Sequence, residues 1–166
     1  MIKVRYNVLN KLVLTYKAGI EQSKETGYPY AVLDSTGSLN DVNYNHKSRY
    51  SRDIVDNSLT LSWYLPMFTI TSISGMQYLK DKQDVDQDFM PKDYYSVYQD
   101  MKQHQYTQEI ILSNNNNELL EMTLRTFGFI QNTDRTIGLT YGTESNELGL
   151  VPGNGYTKFN DEDNSG

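Results

Sequence analysis

The chain has 166 residues, no cysteine and a formal net charge of −6. Its length suits one domain. The lack of cysteine excludes a disulfide framework, a thiolate zinc site and a cysteine nucleophile. Lys and Arg are dispersed, which argues against nucleic-acid binding through the phosphate backbone, because such binding needs clustered cations. We expect no sequence-specific nucleic-acid partner. Tyrosine occurs 14 times, and this residue is common on surfaces that contact a partner.

The amino-terminal segment is predicted to be a helix, because apolar residues recur four apart from Val8 to Ile20. Gly27 is a suitable helix terminus. The alternation over Ile2–Val8 leaves open a short strand in front of this helix. The first residues lack the apolar run of a signal peptide. No segment approaches the roughly 18 consecutive apolar residues of a membrane helix, so we expect no membrane partner.

A strand is predicted at Tyr28–Leu33, and a long polar segment, Asp34–Asn57, follows it. Unstructured segments of this length are uncommon in compact domains, and this one contains aromatic and aliphatic residues that could anchor it. We predict an arm that orders against a neighbouring subunit; a mobile surface loop is the alternative. The candidate interface residues are Tyr44, Arg49, Tyr50, Arg52, Ile54 and Val55.

The rest of the chain predicts a mixture of strands and helices. The predicted strands are Ser58–Leu65, Met67–Ile73, Tyr106–Leu112, Phe129–Ile130 and Thr136–Tyr141. One predicted helix begins at Pro91, and a second covers Glu118–Phe127. These elements predict an α+β fold: an N-terminal helix plus a mostly antiparallel sheet with one or two further helices packed on it. We expect a single domain over residues 1–151 and a flexible acidic tail over residues 152–166.

No residue pattern predicts catalysis, a metal site or a cofactor. Asp84–Asp88 resembles the start of a calcium loop, but Phe89 and Tyr95 occupy the positions that need Gly and Glu. His46 and His104 lack the spacing of a metal site, and no serine lies in a Gly-x-Ser-x-Gly turn. Glycine-rich phosphate-binding patterns are also missing. We therefore expect a non-enzymatic protein with no catalytic residue, no metal and no cofactor.

The order of the predicted elements resembles a family of viral proteins. The opening helix, Gly27, the Pro-aromatic strand at Tyr28–Val32 and the strand Ser58–Leu65 together resemble tail-terminator and neck subunits of tailed bacteriophages. The Asn-, Asp- and Tyr-rich composition is also similar to that of virion proteins. The resemblance covers about half of the chain.

This resemblance implies a ring-forming structural subunit at the neck or tail, a head-tail connector that binds copies of itself and neighbouring virion proteins. Such a ring would allow DNA to pass through its channel. Its location would be the virion, and the host cytoplasm during assembly. Three alternatives remain: a baseplate or other tail component, a monomeric binding module such as a phage-encoded host inhibitor, and a small enzyme with an unrecognised carboxylate site.

Overall fold

The computed structural model describes all residues except 29, 115–119, 154–158 and 166, and it gives only the backbone of residues 159–165. The described residues form one antiparallel sheet of seven strands in chain order. The strands are β1 (Ile2–Leu9), β2 (Leu12–Thr26), β3 (Arg49–Tyr64), β4 (Phe68–Asp86), β5 (Tyr95–Asn114), β6 (Thr123–Tyr141) and β7 (Phe159–Ser165). A short 3-10 turn, Ser145–Leu148, lies between β6 and β7.

The predicted α+β fold with an N-terminal helix and further packed helices is wrong, because the described residues contain no α-helix. Strand β2 occupies the position of the first predicted helix, and β5 occupies that of the helix beginning at Pro91. The predicted helix Glu118–Phe127 begins outside the described residues, and β6 starts within its span at Thr123. In the described part of the chain, no helix is long and apolar enough to cross a membrane.

The error in β2 has a simple physical cause. Residues four apart lie on one face of a helix, but they also lie on one face of a strand, where side chains alternate with a period of two. Leu14 and Ala18 fall between the four-spaced apolar residues of Val8–Ile20 and complete the alternation of a strand. Cross-strand pairing of all fifteen β2 residues with β3 selects the extended form.

The connections differ in length at the two ends of the sheet. Residues 10–11, 65–67 and 115–122 connect strands at one end, which we call the short end. Pro66 lies in one of these connections, where the loss of its amide hydrogen costs no sheet hydrogen bond. Residues 27–48, 87–94 and 142–158 connect strands at the opposite, long end. Strand β3 begins at Arg49, so the last part of the predicted arm belongs to the sheet.

The described residues form a single layer without a hydrophobic core. Among the described residues Val85 is the only buried apolar side chain. The buried polar residues are Ser48, Asp81, Asp86 and Ser145. Burial is therefore concentrated where the long-end connections cover the end of β4. The predicted division into one domain and a tail stays a prediction, although the backbone of β7 pairs with Gln131–Ile137 of β6.

The connection after β6 is held by a close approach of backbones at Gly142. Its amide donates a hydrogen bond to the Tyr94 carbonyl at 2.8 Å, and a Cβ at this position would overlap the carbonyl oxygen and side chain of Asp93. We expect Gly142→Ala to lower the free energy of unfolding by about 1–3 kcal/mol through overpacking. The measurement is denaturant unfolding followed by circular dichroism.

Gly128→Ala is the matched control, because a Cβ at Gly128 would meet no atom within 4 Å. We expect this variant to be as stable as the parent or slightly more stable, since alanine reduces the entropy of the unfolded chain. Equal loss of stability in both variants would show that the contact with Asp93 does not hold the connection.

Candidate functional site

One face of the sheet carries a continuous apolar surface in its short-end half. Because alternate side chains point to the same face, the pairing of β1 to β6 defines rows of neighbouring side chains across the sheet. Five such rows, which we call the apolar band, cover nine residues of each strand from β2 to β6, for example Leu12–Ile20 of β2. The face that bears them is called the apolar face.

The rows follow one another from the short end towards the long end. The first row contains Leu12, Trp63, Ile70, Leu112 and Leu124, and the second contains Tyr6, Leu14, Leu61, Ser72, Ile110 and Thr126. The third row contains Val4, Tyr16, Leu59, Ser74, Gln108 and Gly128. The fourth contains Ile2, Ala18, Asn57, Met76, Tyr106 and Ile130, and the fifth contains Ile20, Val55, Tyr78, His104 and Asn132. No Asp, Glu, Lys or Arg occurs among these described positions.

The opposite face of the same segments, which we call the polar face, has a different composition. Its charged residues are Lys3, Arg5, Lys17, Asp56, Glu109 and Arg125, and most of the others are Ser, Thr, Gln or Gly. Arg125 and Glu109 form an ion pair on this face. The two faces therefore match two different surroundings, one apolar and one polar.

The apolar face is open to its surroundings. Ile20 is 74% exposed, Leu124 66% and Ile130 60%. Contiguous apolar patches larger than a few hundred Å² are rare on monomeric soluble proteins, and a larger one marks a contact surface. The described residues leave these side chains uncovered, so the free energy of burying them is not realised within this part of the chain.

Polar side chains within the apolar band hydrogen-bond to one another. The Tyr16 hydroxyl donates to Asn57 Oδ1 at 2.6 Å. The Gln108 amide donates to the Ser72 hydroxyl at 2.9 Å, and its oxygen accepts from the Ser74 hydroxyl at 2.6 Å. Such pairing lowers the cost of removing polar groups from water. The band can therefore be covered by an apolar medium without leaving these groups unpaired.

Aromatic residues occur throughout the apolar band, with Tyr6 in its second row and Tyr16 in its third, and charged residues begin directly beyond its long-end side. Trp63 lies in the row nearest the short end, while Tyr78 and Tyr106 lie in the two rows nearest the long end. The Tyr78 ring packs against the His104 ring with centroids 4.8 Å apart. In the next row on the same face, Lys80 pairs with Lys102 across β4 and β5. The band thus has one sharp boundary between apolar and charged side chains.

The predicted interface residues do not form one patch. Alternation along β3 places Tyr50, Arg52 and Ile54 on the polar face, and it places Arg49 and Val55 on the apolar face. Tyr44 lies in the connection before β3. Their role in a subunit interface stays a prediction, and only Val55 belongs to the apolar band.

Tyr50 and Arg52 instead bind a buried carboxylate. The Tyr50 hydroxyl donates to Asp81 Oδ2 at 2.8 Å, and the Arg52 guanidinium donates to the same oxygen at 2.8 and 3.0 Å. Asp81 is 3% exposed. Burial and the acceptor Asp81 raise the pKa of Tyr50 to about 12. This cluster is a structural anchor between β3 and β4.

The acidic segment that resembles a calcium loop holds the chain's own backbone. Asp86 accepts hydrogen bonds from the amides of His46 and Phe89, and burial raises the pKa of its carboxyl. Asp88 accepts from the amides of Tyr94 and Tyr95. Among the described residues no group of three or more His, Cys, Asp or Glu is placed to hold a metal ion.

Comparison with known proteins gives no relative for this chain: no family model, no curated protein and no solved structure matches it. The function must therefore be argued from the two faces of the sheet. Sequence reasoning missed the apolar band, although the alternation of Leu59, Leu61 and Trp63 is one visible part of it.

The connection over residues 27–48 is fastened to β4 by Ser48. The Asp86 amide donates to the Ser48 hydroxyl at 3.0 Å, and Ser48 is 1% exposed. We expect Ser48→Ala to cost about 1–3 kcal/mol, because it leaves a buried amide without an acceptor. Limited proteolysis with mass mapping should then show faster cleavage within residues 27–48.

Ser38→Ala is the control, because Ser38 lies exposed in the same connection. It should be cleaved at the parent's rate. If Ser48→Ala is also cleaved at that rate, the hydrogen bond to Asp86 does not fasten the connection.

Proposed function

We propose that the protein is a structural sheet embedded in a lipid bilayer, with the apolar face against the hydrocarbon chains and the polar face towards water or protein. This proposal replaces the expectation of no membrane partner, which rested on the length that an apolar helix needs and does not apply to strands. The observation that carries this proposal is the apolar band. On the apolar face, no charged side chain occurs along a nine-residue segment of each of five neighbouring strands. A strand that crosses a bilayer needs about 9–11 residues when it is tilted by about 45°.

The residues at the boundaries of the apolar band also support contact with a lipid bilayer. Trp and Tyr are enriched at the interface between lipid and water, where an apolar ring and a polar atom are both accommodated. Trp63 lies near one boundary of the band, and Tyr78 and Tyr106 lie near the other, while Tyr6 and Tyr16 lie between them. Lys80 and Lys102 follow outside the hydrocarbon, where their charges remain hydrated.

The backbone adds a requirement for further strands. Hydrocarbon offers no hydrogen-bond partner, so an unpaired strand edge cannot remain there. The outer edge of β1 lies beside the band, and β7 pairs with β6 only from Gln131 onwards. Strands from outside these seven must therefore pair with β1 and with the first half of β6. The proposed role is consequently that of a wall section, without catalysis, in a larger membrane assembly.

Trp63 is the only tryptophan and reports directly on this proposal. We expect its fluorescence to be quenched in vesicles of brominated lipids, more strongly by bromine near the headgroup than by bromine near the acyl-chain end. The physical reason is its position in the boundary row of the apolar band. The measurement uses the full chain reconstituted in phosphatidylcholine vesicles.

Two variants made in a Trp63→Phe background compare tryptophan quenching on the two faces of the sheet, half-way along the apolar band. Leu59→Trp lies on the apolar face and should be quenched most by deep bromine. Phe127→Trp lies at a similar height on the polar face and should remain almost unquenched. Equal quenching of both tryptophans, or no quenching of either, would reject the proposed orientation.

The second candidate is the ring-forming virion subunit that the sequence resemblance implies. The unpaired edges of β1 and of the first half of β6 also favour this candidate. Pairing of one edge with the other edge of the next copy is a heterologous contact, and such contacts form a closed ring when the rotation between neighbouring copies divides a full turn evenly. Neighbouring virion proteins would then cover the apolar band. This candidate expects a ring-sized species without lipid or detergent, detected by light scattering and negative-stain imaging. A ring with no vesicle quenching would favour it over the membrane sheet.

A further inference from the structure

A cavity of about 310 Å³ lies on the apolar face beyond the apolar band, towards the long end. Its lining includes three cationic residues, two acidic residues and a tyrosine: Lys24, Arg49, Lys82, Glu25, Asp84 and Tyr98. Alternation and register place the three cations and Tyr98 on the same face as the band, in the second and third rows beyond its last apolar row. The cavity is therefore on the same side of the sheet as the surface that we propose to contact lipid.

The cations of this cavity are incompletely neutralised by the protein. Lys82 pairs with Asp100 at 3.3 Å. Among the described residues Lys24 and Arg49 have no acidic side chain within 4.0 Å. Both are exposed. Two cations are thus free to bind an anion at the cavity.

The acidic residue nearest to Arg49 is held by another group. Asp84 lies directly opposite Arg49 in the register, and its Oδ1 atom is 2.9 Å from His46 Nε2. It accepts a hydrogen bond from that nitrogen when the nitrogen carries a proton. The two rows of this face therefore contain three cations and two carboxylates, Asp84 and Asp100, which leaves a surplus of positive charge on this face. Glu25 also lines the cavity, but alternation along β2 places its side chain on the opposite face.

The row between the cavity and the band carries no such surplus. Lys80 and Lys102 lie opposite each other, and each has an acidic neighbour on its other side, Asp53 and Asp134 respectively. Asp53 also accepts from the Gln22 amide at 3.1 Å. Among the described side chains the charges of this row balance, so the surplus of positive charge is confined to the two rows of the cavity.

The cavity lies at and just beyond the outer edge of the headgroup layer, which extends about 5–8 Å past the hydrocarbon in each leaflet. Two residues along a strand span about 7 Å, so the second and third rows beyond the band lie about 13–20 Å along the strand past its last apolar row. A strand tilt of about 45° reduces this to a height of about 9–14 Å. Long Lys and Arg side chains extend along apolar surface to place their charge in the interface, which brings Lys24 and Arg49 closer to lipid phosphates.

Resting on the proposed function, we propose that this cavity binds the anionic headgroup of a phospholipid whose acyl chains cover the apolar band. The cationic side chains bind the phosphate, and the stems of Lys24 and Lys82 with the Tyr98 ring contact the rest of the headgroup. The chemical class is an anionic phosphate ester attached to hydrocarbon. The neighbouring band distinguishes it from a free phosphate ion.

The test is titration calorimetry of the detergent-solubilised full chain with short-chain phosphatidylglycerol. Short-chain phosphatidylcholine and inorganic phosphate serve as comparison ligands. We expect saturable binding of phosphatidylglycerol only. The double variant Lys24→Gln/Arg49→Gln should weaken it about tenfold or more, since exposed cations near an anionic lipid surface contribute strongly to binding. Arg49→Lys, which keeps the charge, should retain part of the affinity.

The control is Lys3→Gln/Arg5→Gln, which removes one lysine and one arginine from the polar face. It should bind phosphatidylglycerol like the parent. Equal weakening in both double variants, or equal binding of inorganic phosphate or phosphatidylcholine, would overturn the headgroup site. Quenching of Trp63 by brominated lipid is measured in parallel. If Trp63 is quenched without phosphatidylglycerol binding, the headgroup site fails while the membrane sheet stands; if it is not quenched, the proposed function itself fails.

Discussion

The molecule depends on one constraint: a single-layer sheet exposes both faces, and the described part of this chain supplies nothing to cover the apolar one. Burial of apolar surface is the main favourable term in folding, and here it is nearly absent from the described residues apart from Val85. Backbone pairing between long neighbouring strands connects the layer, but an isolated sheet gains little without a covered face. The surroundings of the apolar band must therefore contribute a large part of its stability.

The same constraint explains the polar chemistry of the apolar face. An uncovered polar side chain is harmless in water, but it is costly once an apolar medium replaces the water. Tyr16, Asn57 and Gln108 have partners on neighbouring strands of this face. Charges are limited to the rows beyond the band and to the polar face. This distribution fits hydrocarbon better than the protein layer of a ring, in which opposite charges could pair across the interface.

The sequence predicts strands better where turn residues bound the alternation than where apolar residues recur four apart. Ser58–Leu65 and Met67–Ile73 lie mainly in β3 and β4, as expected from their alternation around Pro66. Over Val8–Ile20 the four-residue spacing is compatible with the helical period of 3.6 residues and with the strand period of two. The helix predicted from this spacing is wrong. The candidate site could not be predicted, because the band exists only after register places side chains from six strands in common rows. A single sequence contains the alternation of each strand but not the register.

The two ends of the sheet differ in the interactions that stabilise them. At the long end, buried hydrogen bonds of Ser48, Asp81 and Asp86 fasten connections and neighbouring strands to β4, and these bonds are internal to the chain. Towards the short end, the band has exposed apolar side chains and depends on what covers it. Loss of the covering medium should therefore loosen the band before the long-end connections. The cationic cavity lies beside the Asp81 cluster and is lined in part by its partner Tyr50. Under the proposed function, an anion bound there would connect the lipid that covers the band to the part of the sheet that is stabilised within the chain.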